Sequence, residues 1–382
     1  MIKKILQELF RGICFFLPIQ KNKIVVSSYY GRGYGDNPKY IIEELLKDKQ
    51  KLNIIWIVKT LSEKDSLPAN VKACKAKSFL NIYHLATARV WIDNCRKSFR
   101  YKKKKQVYLQ TWHGFALKRI EKDVEGHLGE SYVKCAIKDS KNTDIIISDS
   151  RFMTGIYQKS FWYNGEIVEW GSPRTDIILN PRVEIYKNVR NYFGVSNDKK
   201  IVLYAPTFRA DHSIEPYNID YNRLKESCEN RFGDKFVVLV RLHPNIISKC
   251  EFLKFKEGEI INATYYPDMQ ELLVASDICI TDYSSLMFDF ALSYKPCFQF
   301  ATDIQDYKKD RNFYFEIDKL PFSVAQNNDE LVKNILEFNR EKYEEKLLEF
   351  YNKVGMIRDG QASRRCAKYI LQNLNNKGMK LK

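Results

Sequence analysis

The stretch "DICITDYSSLMFDFAL" (residues 277–292) passes from a strand-like pattern to a helical one with no glycine or proline at the junction. The residues before Thr281 are mostly apolar, as in a strand buried on both faces, and those after Ser285 have helical spacing. Ser284 and Ser285 fall at the first turn of the predicted helix. Because free backbone N–H groups point outward there, the serines predict either a helix cap or an anion-binding site.

The same alternation of strand and helix runs through most of the chain. Helical patterns cover residues 37–48, 221–232, 269–276 and 285–292. Strands rich in Ile and Val are predicted at residues 23–28, 53–58, 88–93, 106–111, 144–149, 166–171, 200–206, 235–244, 277–282 and 296–300. Such strands, separated by helices, are typical of parallel sheets covered on both faces.

A polar stretch with two prolines, residues 171–200, interrupts the alternation and marks a domain boundary. We therefore predict two facing Rossmann-like, doubly wound α/β domains, residues 23–180 and 181–382, preceded by a separate segment, residues 1–22. In such folds ligands bind at the carboxyl ends of the strands, so the expected site is a cleft between the domains.

The composition indicates an anionic partner. The chain of 382 residues carries 63 Lys and Arg against 47 Asp and Glu, a net charge of +16. Nucleic acid, phosphorylated small molecules and an acidic membrane all fit this charge. The cations discussed below stand at strand ends and not along one helix, which argues against nucleic acid.

Neither the cysteines nor the histidines form a metal-binding pattern. The nine cysteines include no C-x-x-C pair, which indicates reduced thiols in a cytosolic protein. The five histidines include no H-x-x-x-H pair, and no D-x-D occurs in the chain. We therefore expect no metal site, and cations must neutralise any bound phosphate. The glycines after the first strand have G-x-G-x-G spacing, which excludes a dinucleotide fingerprint.

The N-terminal segment has an amphipathic pattern. It carries apolar residues at helical spacing opposite a basic face formed by Lys3, Lys4 and Arg11; the apolar residues are Ile2, Ile5, Leu6, Leu9 and Ile13. This pattern fits a helix lying in a membrane interface, or equally one packed on the protein's own core. The basic run at residues 102–105 is either a solvated loop or a contact for lipid headgroups or phosphate.

Several side chains at predicted strand ends have chemistry suited to catalysis or phosphate binding. His113 ends one strand and is followed by Gly114, so it is a candidate general base, with a hydrogen-bonded structural histidine as the alternative. Arg209, Arg241 and His243 stand at the ends of two later strands. Together with the serines at residues 284 and 285 they predict a diphosphate pocket.

A series of motifs resembles the CDP-glycerol glycerophosphotransferases of teichoic acid and capsule synthesis. They occur in the family's order over most of the chain: "GDNPKYI" (35–41), "QTWHGFALK" (110–118), "GSPRTDII" (171–178), "YAPTFR" (204–209), "RLHP" (241–244), "PDMQELLVASDICITDYSSLMFDFAL" (267–292) and "KPCFQF" (295–300). The length is similar to that of the primases, which add a single glycerol phosphate.

The resemblance implies a GT-B fold and a transferase that needs no cofactor and no metal. Its donor would be CDP-glycerol or another CDP-alditol such as CDP-ribitol, and CMP would leave. The acceptor would be a polyprenyl-diphosphate-linked saccharide or the growing polymer. The enzyme would act as a peripheral protein on the cytoplasmic face of the bacterial membrane. A GT-B glycosyltransferase that uses a UDP- or GDP-sugar is the alternative.

The resemblance also implies roles for individual residues. His113 would be the catalytic base and His243 would act at the donor pyrophosphate. Gly114 and Lys118 would lie on the acceptor side. The donor-binding residues would be Arg209, Arg241, Asp268, Thr281, Asp282, Ser284, Ser285 and Asp289.

Overall fold

The computed structural model describes residues 2–97, 102–124, 126–209, 217–242, 256, 258–304 and 312–375. The chain divides into two compact units. Unit 1 comprises Met1–His113, Glu121–Asp176 and Met356–Lys382, and unit 2 comprises Gly114–Ile120 and Ile177–Gly355.

Unit 1 is built on a parallel sheet that has seven strands among the described residues, in the order β3-β2-β1-β4-β5-β6-β7. Its strands are β1 (Gln20–Ser27), β2 (Asn53–Val58), β3 (Val71–Lys75), β4 (Ala88–Asp93), β5 (Val107–Gln110), β6 (Ile145–Ser148) and β7 (Glu166–Glu169). Its helices are α1 (Ile2–Phe16), α2 (Asp36–Leu45), α3 (Phe79–Thr87), α4 (Glu130–Asn142) and α5 (Arg151–Ser160). A short helix, α6 (Asp176–Leu179), begins at the boundary with unit 2.

Both faces of this sheet are buried, as predicted. Alternate residues of a strand point to opposite faces. Ile24 and Val26 of β1 join one core cluster with Trp56, whereas Val25 joins a second cluster with Trp91. The continuous runs of Ile and Val are explained by this burial on both sides.

Unit 2 is built on a second parallel sheet, with six strands among the described residues in the order β10-β9-β8-β11-β12-β13. Its strands are β8 (Lys199–Tyr204), β9 (Lys235–Val240), β10 (Ile260–Asn262), β11 (Ile278–Thr281), β12 (Cys297–Phe300) and β13 (Ser323–Ala325). Its helices are α7 (Val183–Phe193), α8 (Tyr221–Phe232), α9 (Met269–Ala275), α10 (Leu286–Ala291), α11 (Asn328–Leu336) and α12 (Arg340–Val354). The opening stretch therefore forms β11 and α10, as its pattern indicates.

The last helix, α13 (Ala362–Leu374), lies in unit 1, although the sequence analysis assigned the whole tail to the second domain. Its residues Cys366 and Ile370 are buried in the cluster that covers one face of the first sheet. The Asp176 carboxylate accepts hydrogen bonds from the backbone N–H of Ala362 at 3.1 Å and of Ser363 at 2.7 Å. This contact holds the first turn of the helix, where backbone donors need partners. The units therefore differ from the expected ranges 23–180 and 181–382.

The N-terminal helix α1 is part of unit 1 and not a separate segment. One side of it packs on α3, where Cys14 is buried and the rings of Phe10 and Phe79 meet edge to face at 5.3 Å. The other side is open: Leu9 is 62% exposed and Phe16 87% exposed. The packed side agrees with the alternative of a helix on the protein's own core, whereas contact of the exposed side with a membrane stays a prediction. In the described part of the chain, no helix is long and apolar enough to span a membrane.

Candidate active site

His113 lies just beyond the carboxyl end of β5, in a tightly bent segment. Trp112 before it has a φ of 50° and Gly114 after it a φ of 127°. A tryptophan in the left-handed region is uncommon, whereas glycine adopts a positive φ readily. The ring Nδ1 lies 2.6 Å from the carbonyl oxygen of Asn94. Since a carbonyl only accepts, Nδ1 carries the proton and Nε2 keeps the lone pair.

The surroundings of this half-buried histidine keep its ring neutral. Trp112 stacks on the ring with the centroids 4.2 Å apart, and Tyr29 lies 5.7 Å away. Burial lowers the pKa of His113, and the charge of Arg174 acts in the same direction. The hydrogen bond to Asn94 and the charge of Asp36 raise it without reversing the change. A neutral imidazole with a free Nε2 has the protonation state of a general base.

Asn37 joins three segments of unit 1 beside His113. Its Nδ2 donates to the carbonyl oxygens of Thr111 at 3.3 Å and Trp112 at 3.1 Å. Its Oδ1 accepts from the Ser172 hydroxyl at 2.9 Å and from the Arg174 backbone at 3.0 Å. No role was predicted for these residues, although they stand in the motifs "GDNPKYI", "QTWHGFALK" and "GSPRTDII". The presence of all three motifs in one chain was the signal from which this cluster could have been predicted.

In unit 2, Asp282 ties the end of β11 to the segment that follows β8. Its buried carboxylate accepts from the backbone N–H of Thr207 at 2.8 Å and from the Thr207 hydroxyl at 3.0 Å. The Thr281 hydroxyl donates to the Ala205 carbonyl at 2.7 Å. The polar groups at these two strand ends therefore hold each other in place.

Arg209 is buried in an ion-pair cluster. Its Nη1 lies 2.8 Å from Asp282, and its Nε and Nη2 bind Asp303 at 2.6 and 3.0 Å. Burial lowers the pKa of Arg209, but the bonds to Asp303 and the charge of Asp282 outweigh burial, so the pKa is raised. Arg209 was expected to be a cation available to phosphate, whereas two carboxylates already neutralise it here.

Other residues expected on the donor side lie beyond β9 and around α9. Arg241, which is half-buried, donates from Nη1 to the Tyr266 carbonyl at 2.7 Å. Asp268 is the N-cap of α9 and accepts from the Gln270 backbone at 2.8 Å. The Gln270 side chain donates to Asp289 of α10 at 3.0 Å. These contacts join Asp268 and Asp289 through one glutamine. His243 lies outside the described residues.

Ser284 and Ser285 directly precede α10, but their side chains make at most a weak capping hydrogen bond. Ser285 has helical backbone angles, with φ −63° and ψ −13°, and its side chain makes no capping hydrogen bond. The Ser284 hydroxyl accepts from the Leu286 backbone at 3.4 Å, a long contact. Both side chains are half-buried. Capping alone is therefore a weak explanation for the two serines.

The two residues expected on the acceptor side belong to the segment of unit 2 that directly follows His113. Lys118 forms an isolated antiparallel bridge with Phe313. On either side of it, Arg119 N–H donates to the Asn312 carbonyl at 2.8 Å and Tyr314 N–H donates to the Leu117 carbonyl at 2.9 Å. The backbone around Lys118 is thus held by residues 312–314.

Comparison with known proteins identifies the family. Residues 9–372 match the model described as CDP-Glycerol:Poly(glycerophosphate) glycerophosphotransferase. The chain belongs to this glycerophosphotransferase family. The family recognised from the motifs is thereby confirmed.

Two curated members of the glycerophosphotransferase family illustrate the likeness. A teichoic acid poly(glycerol phosphate) polymerase of Staphylococcus epidermidis is 32% identical over 361 residues, which cover 90% of this chain and 50% of that protein. A teichoic acid glycerol-phosphate transferase of Staphylococcus aureus is 30% identical over 367 residues, covering 92% of this chain and 93% of that protein. The chain thus spans half the length of the first relative and nearly all of the second.

A solved structure within the same family shares the fold. The wall teichoic acid polymerase TagF superimposes with a TM-score of 0.85 at 29% identity, over 98% of this chain and 97% of that one. Another TagF structure is of a variant with CDPG. The likeness confirms the predicted fold class, the pair of Rossmann-like domains of GT-B proteins.

Proposed function

We propose that this protein transfers glycerol phosphate from CDP-glycerol to a hydroxyl of a polyprenyl-diphosphate-linked saccharide or of a growing polymer. CMP is the other product, and the polymer is a teichoic acid or a capsular polysaccharide. Family membership supports the donor and the reaction class. The observation that carries the proposal is His113, a neutral imidazole whose proton is held on Nδ1 by Asn94.

In the proposed reaction, the acceptor hydroxyl attacks the β-phosphorus of CDP-glycerol. The new P–O bond forms as the bond from that phosphorus to the bridging oxygen breaks, and CMP leaves with the electron pair. His113 Nε2 takes the proton of the attacking hydroxyl. Phosphoryl transfer needs positioning and charge neutralisation more than covalent help from the protein.

The donor's diphosphate would be bound in unit 2. Arg241, His243, Ser284 and Ser285 are the proposed contacts, and Asp268, Thr281, Asp282 and Asp289 shape the pocket around them. Arg209 contributes indirectly in this scheme, because Asp282 and Asp303 hold its guanidinium. A phosphate would have to compete with two carboxylates for that cation, so we assign Arg209 to holding the strand ends together.

We further propose that α1 places the enzyme on the cytoplasmic face of the membrane as a peripheral protein. Its exposed apolar stripe would enter the interface while Phe10 and Cys14 keep the helix on unit 1. Lys103 Nζ donates to the carbonyls of Cys14 and Leu17, which brings the basic run 102–105 to the end of this helix. The neighbouring Lys104 and Lys105 are exposed and suited to anionic headgroups.

The proposed function is tested by product analysis. The full chain is incubated with CDP-glycerol and a lipid-linked disaccharide. The mass of the lipid product is measured by mass spectrometry, and the released CMP is quantified. We expect the acceptor to gain one or more glycerol phosphates with one CMP for each. Parallel reactions with CDP-ribitol and with UDP- and GDP-sugars define the donor. Turnover of a nucleotide sugar with none of CDP-glycerol would refute the proposal.

A further inference from the structure

We infer that Asp36 and Arg174 are positioning residues for His113: their buried ion pair clamps the main chain of His113 and orients its imidazole. The sequence analysis assigned neither residue a role. The catalytic meaning of the clamp rests on the proposed function, but its effect on the imidazole can be measured without substrate.

The clamp is a series of short contacts that ends at the carbonyl oxygen of His113. Arg174 Nη1 donates to the carbonyl oxygen of His113 at 2.7 Å and lies 2.8 Å from Asp36 Oδ2. The Tyr29 hydroxyl donates to the same carboxylate oxygen at 2.7 Å. Arg174 is only 4% exposed and Asp36 only 6%. The backbone of the histidine is thus hydrogen-bonded to a charged group that is itself fixed.

Asn94 connects the same assembly to the imidazole ring. Its carbonyl accepts from His113 Nδ1, while its Oδ1 accepts from the backbone N–H of Tyr29 at 2.8 Å. Tyr29 in turn bonds Asp36. The imidazole and its peptide group are therefore held by one continuous network and not by independent contacts.

Backbone strain is concentrated in the segments that this network joins. Tyr29, Asp36 and Trp112 have φ values of 44°, 59° and 50°. Residues other than glycine adopt such angles only where the surrounding structure imposes them, and they cluster at functional sites. Burying an ion pair is also a costly way to stabilise a core, since apolar side chains often serve as well. Strain and buried charge at one histidine favour a positioning role over simple stability.

The charged groups facing His113 make opposite predictions for two substitutions. Asp36 and Glu121 favour the protonated imidazole, and Arg174 disfavours it. The Tyr29 hydroxyl stays neutral, because burial raises its pKa well above the ordinary value. Removing the Asp36 charge should therefore lower the pKa of His113, and removing the Arg174 charge should raise it. Shifts of opposite sign would show that both charges act on the imidazole, and a loss of kcat with little change in KM would show that they position it.

The experiment is an NMR titration of the full chain with ¹³C-labelled histidine, in which His113→Gln assigns the His113 signal. We expect Asp36→Asn to lower the pKa of His113 and Arg174→Met to raise it, each by roughly 0.5–1 pH unit. Asp144→Asn, which breaks the Lys102–Asp144 ion pair elsewhere in unit 1, is the matched control and should leave it unchanged. If Arg174→Met does not fold, Arg174→Lys keeps the charge while changing the bond to the His113 carbonyl.

A second measurement separates this inference from the proposed function. In Asp36→Asn, the kcat for CMP release should fall about 10- to 100-fold with little change in the KM for CDP-glycerol. Shifts of the His113 pKa that are absent or share one sign in folded variants overturn the clamp, even when the wild-type protein is active. A wild-type protein that releases no CMP from CDP-glycerol overturns the proposed function instead, and the titration still decides the clamp.

Discussion

The hydrogen bond from His113 Nδ1 to Asn94 determines what this histidine offers to a substrate. With the proton held at Nδ1, the basic atom is Nε2, and replacing the ring removes it. We expect His113→Gln to reduce CMP release by about 100- to 10,000-fold, the usual range for loss of a general base. Calorimetry should still detect binding of CDP-glycerol. His127→Ala, at an exposed histidine, is the control; normal turnover by folded His113→Gln would remove His113 from the mechanism.

The lowered pKa of His113 predicts the pH dependence of the reaction. The imidazole must be neutral to accept a proton, so activity falls when the pH drops through its pKa. Since burial lowers that pKa, the acidic limb of kcat/KM should lie below about pH 6.5, the ordinary value for histidine. A profile of kcat/KM between pH 4.5 and 9 measures it. An acidic limb above neutrality would show that another group controls the rate.

The role of Ser284 and Ser285 can be tested by introducing a negative charge, which a bound diphosphate would repel. Aspartate caps helices as well as serine does, so capping alone predicts that Ser284→Asp binds CDP-glycerol normally. If the diphosphate contacts these hydroxyls, a carboxylate there opposes it, and affinity should fall sharply with the fold intact. We expect the second result, since Ser285 makes no capping bond. Titration calorimetry of both aspartate variants decides it, with Ser284→Ala as the uncharged control.

At the scale of single elements, α1 gives the clearest prediction, because one of its faces is exposed and apolar while the other packs on α3. Leu9→Glu places a charge on the exposed stripe and should release the protein from phosphatidylglycerol vesicles without loss of stability. Phe10→Ala, on the packed side, should lower the free energy of unfolding by about 1–3 kcal/mol. Leu61→Glu makes the same change at another exposed leucine, 54% exposed against 62% for Leu9. Equal vesicle binding by both glutamate variants would exclude α1 as the anchor.

Apart from β7, whose residues are exposed or half-buried, the strands that the sequence predicts are largely buried, and the strands it misses are short or exposed. In β3 only Val71 and Cys74 of five residues are buried, so its pattern is no stronger than that of a loop. β10 and β13 have three residues each. All three lie at sheet edges, where one neighbouring strand suffices and the demand for apolar residues is weakest.

At the scale of the whole molecule, the order of the motifs was enough to recognise the family. The sequence did not reveal which distant residues form ion pairs with one another. Arg209 is separated by 94 residues from the Asp303 that neutralises it, and Arg174 by 138 from Asp36. Such partners are set by the tertiary fold and leave no periodic signal in the sequence. Thus the strand-end position of His113 was predictable, whereas the neutralisation of Arg209 and the clamp on His113 were not.

The return of α13 to the first sheet has a consequence for biosynthesis. Cys366 and Ile370 fill a core whose strands were synthesised about 200–350 residues earlier, so unit 1 stays incomplete until α13 has been made. Unit 2, by contrast, contains no residue beyond Gly355 and its chain is finished first. A nascent chain that has emerged from the ribosome as far as residue 355 would therefore contain all of unit 2 but lack α13 of unit 1, which protease protection of arrested nascent chains would reveal.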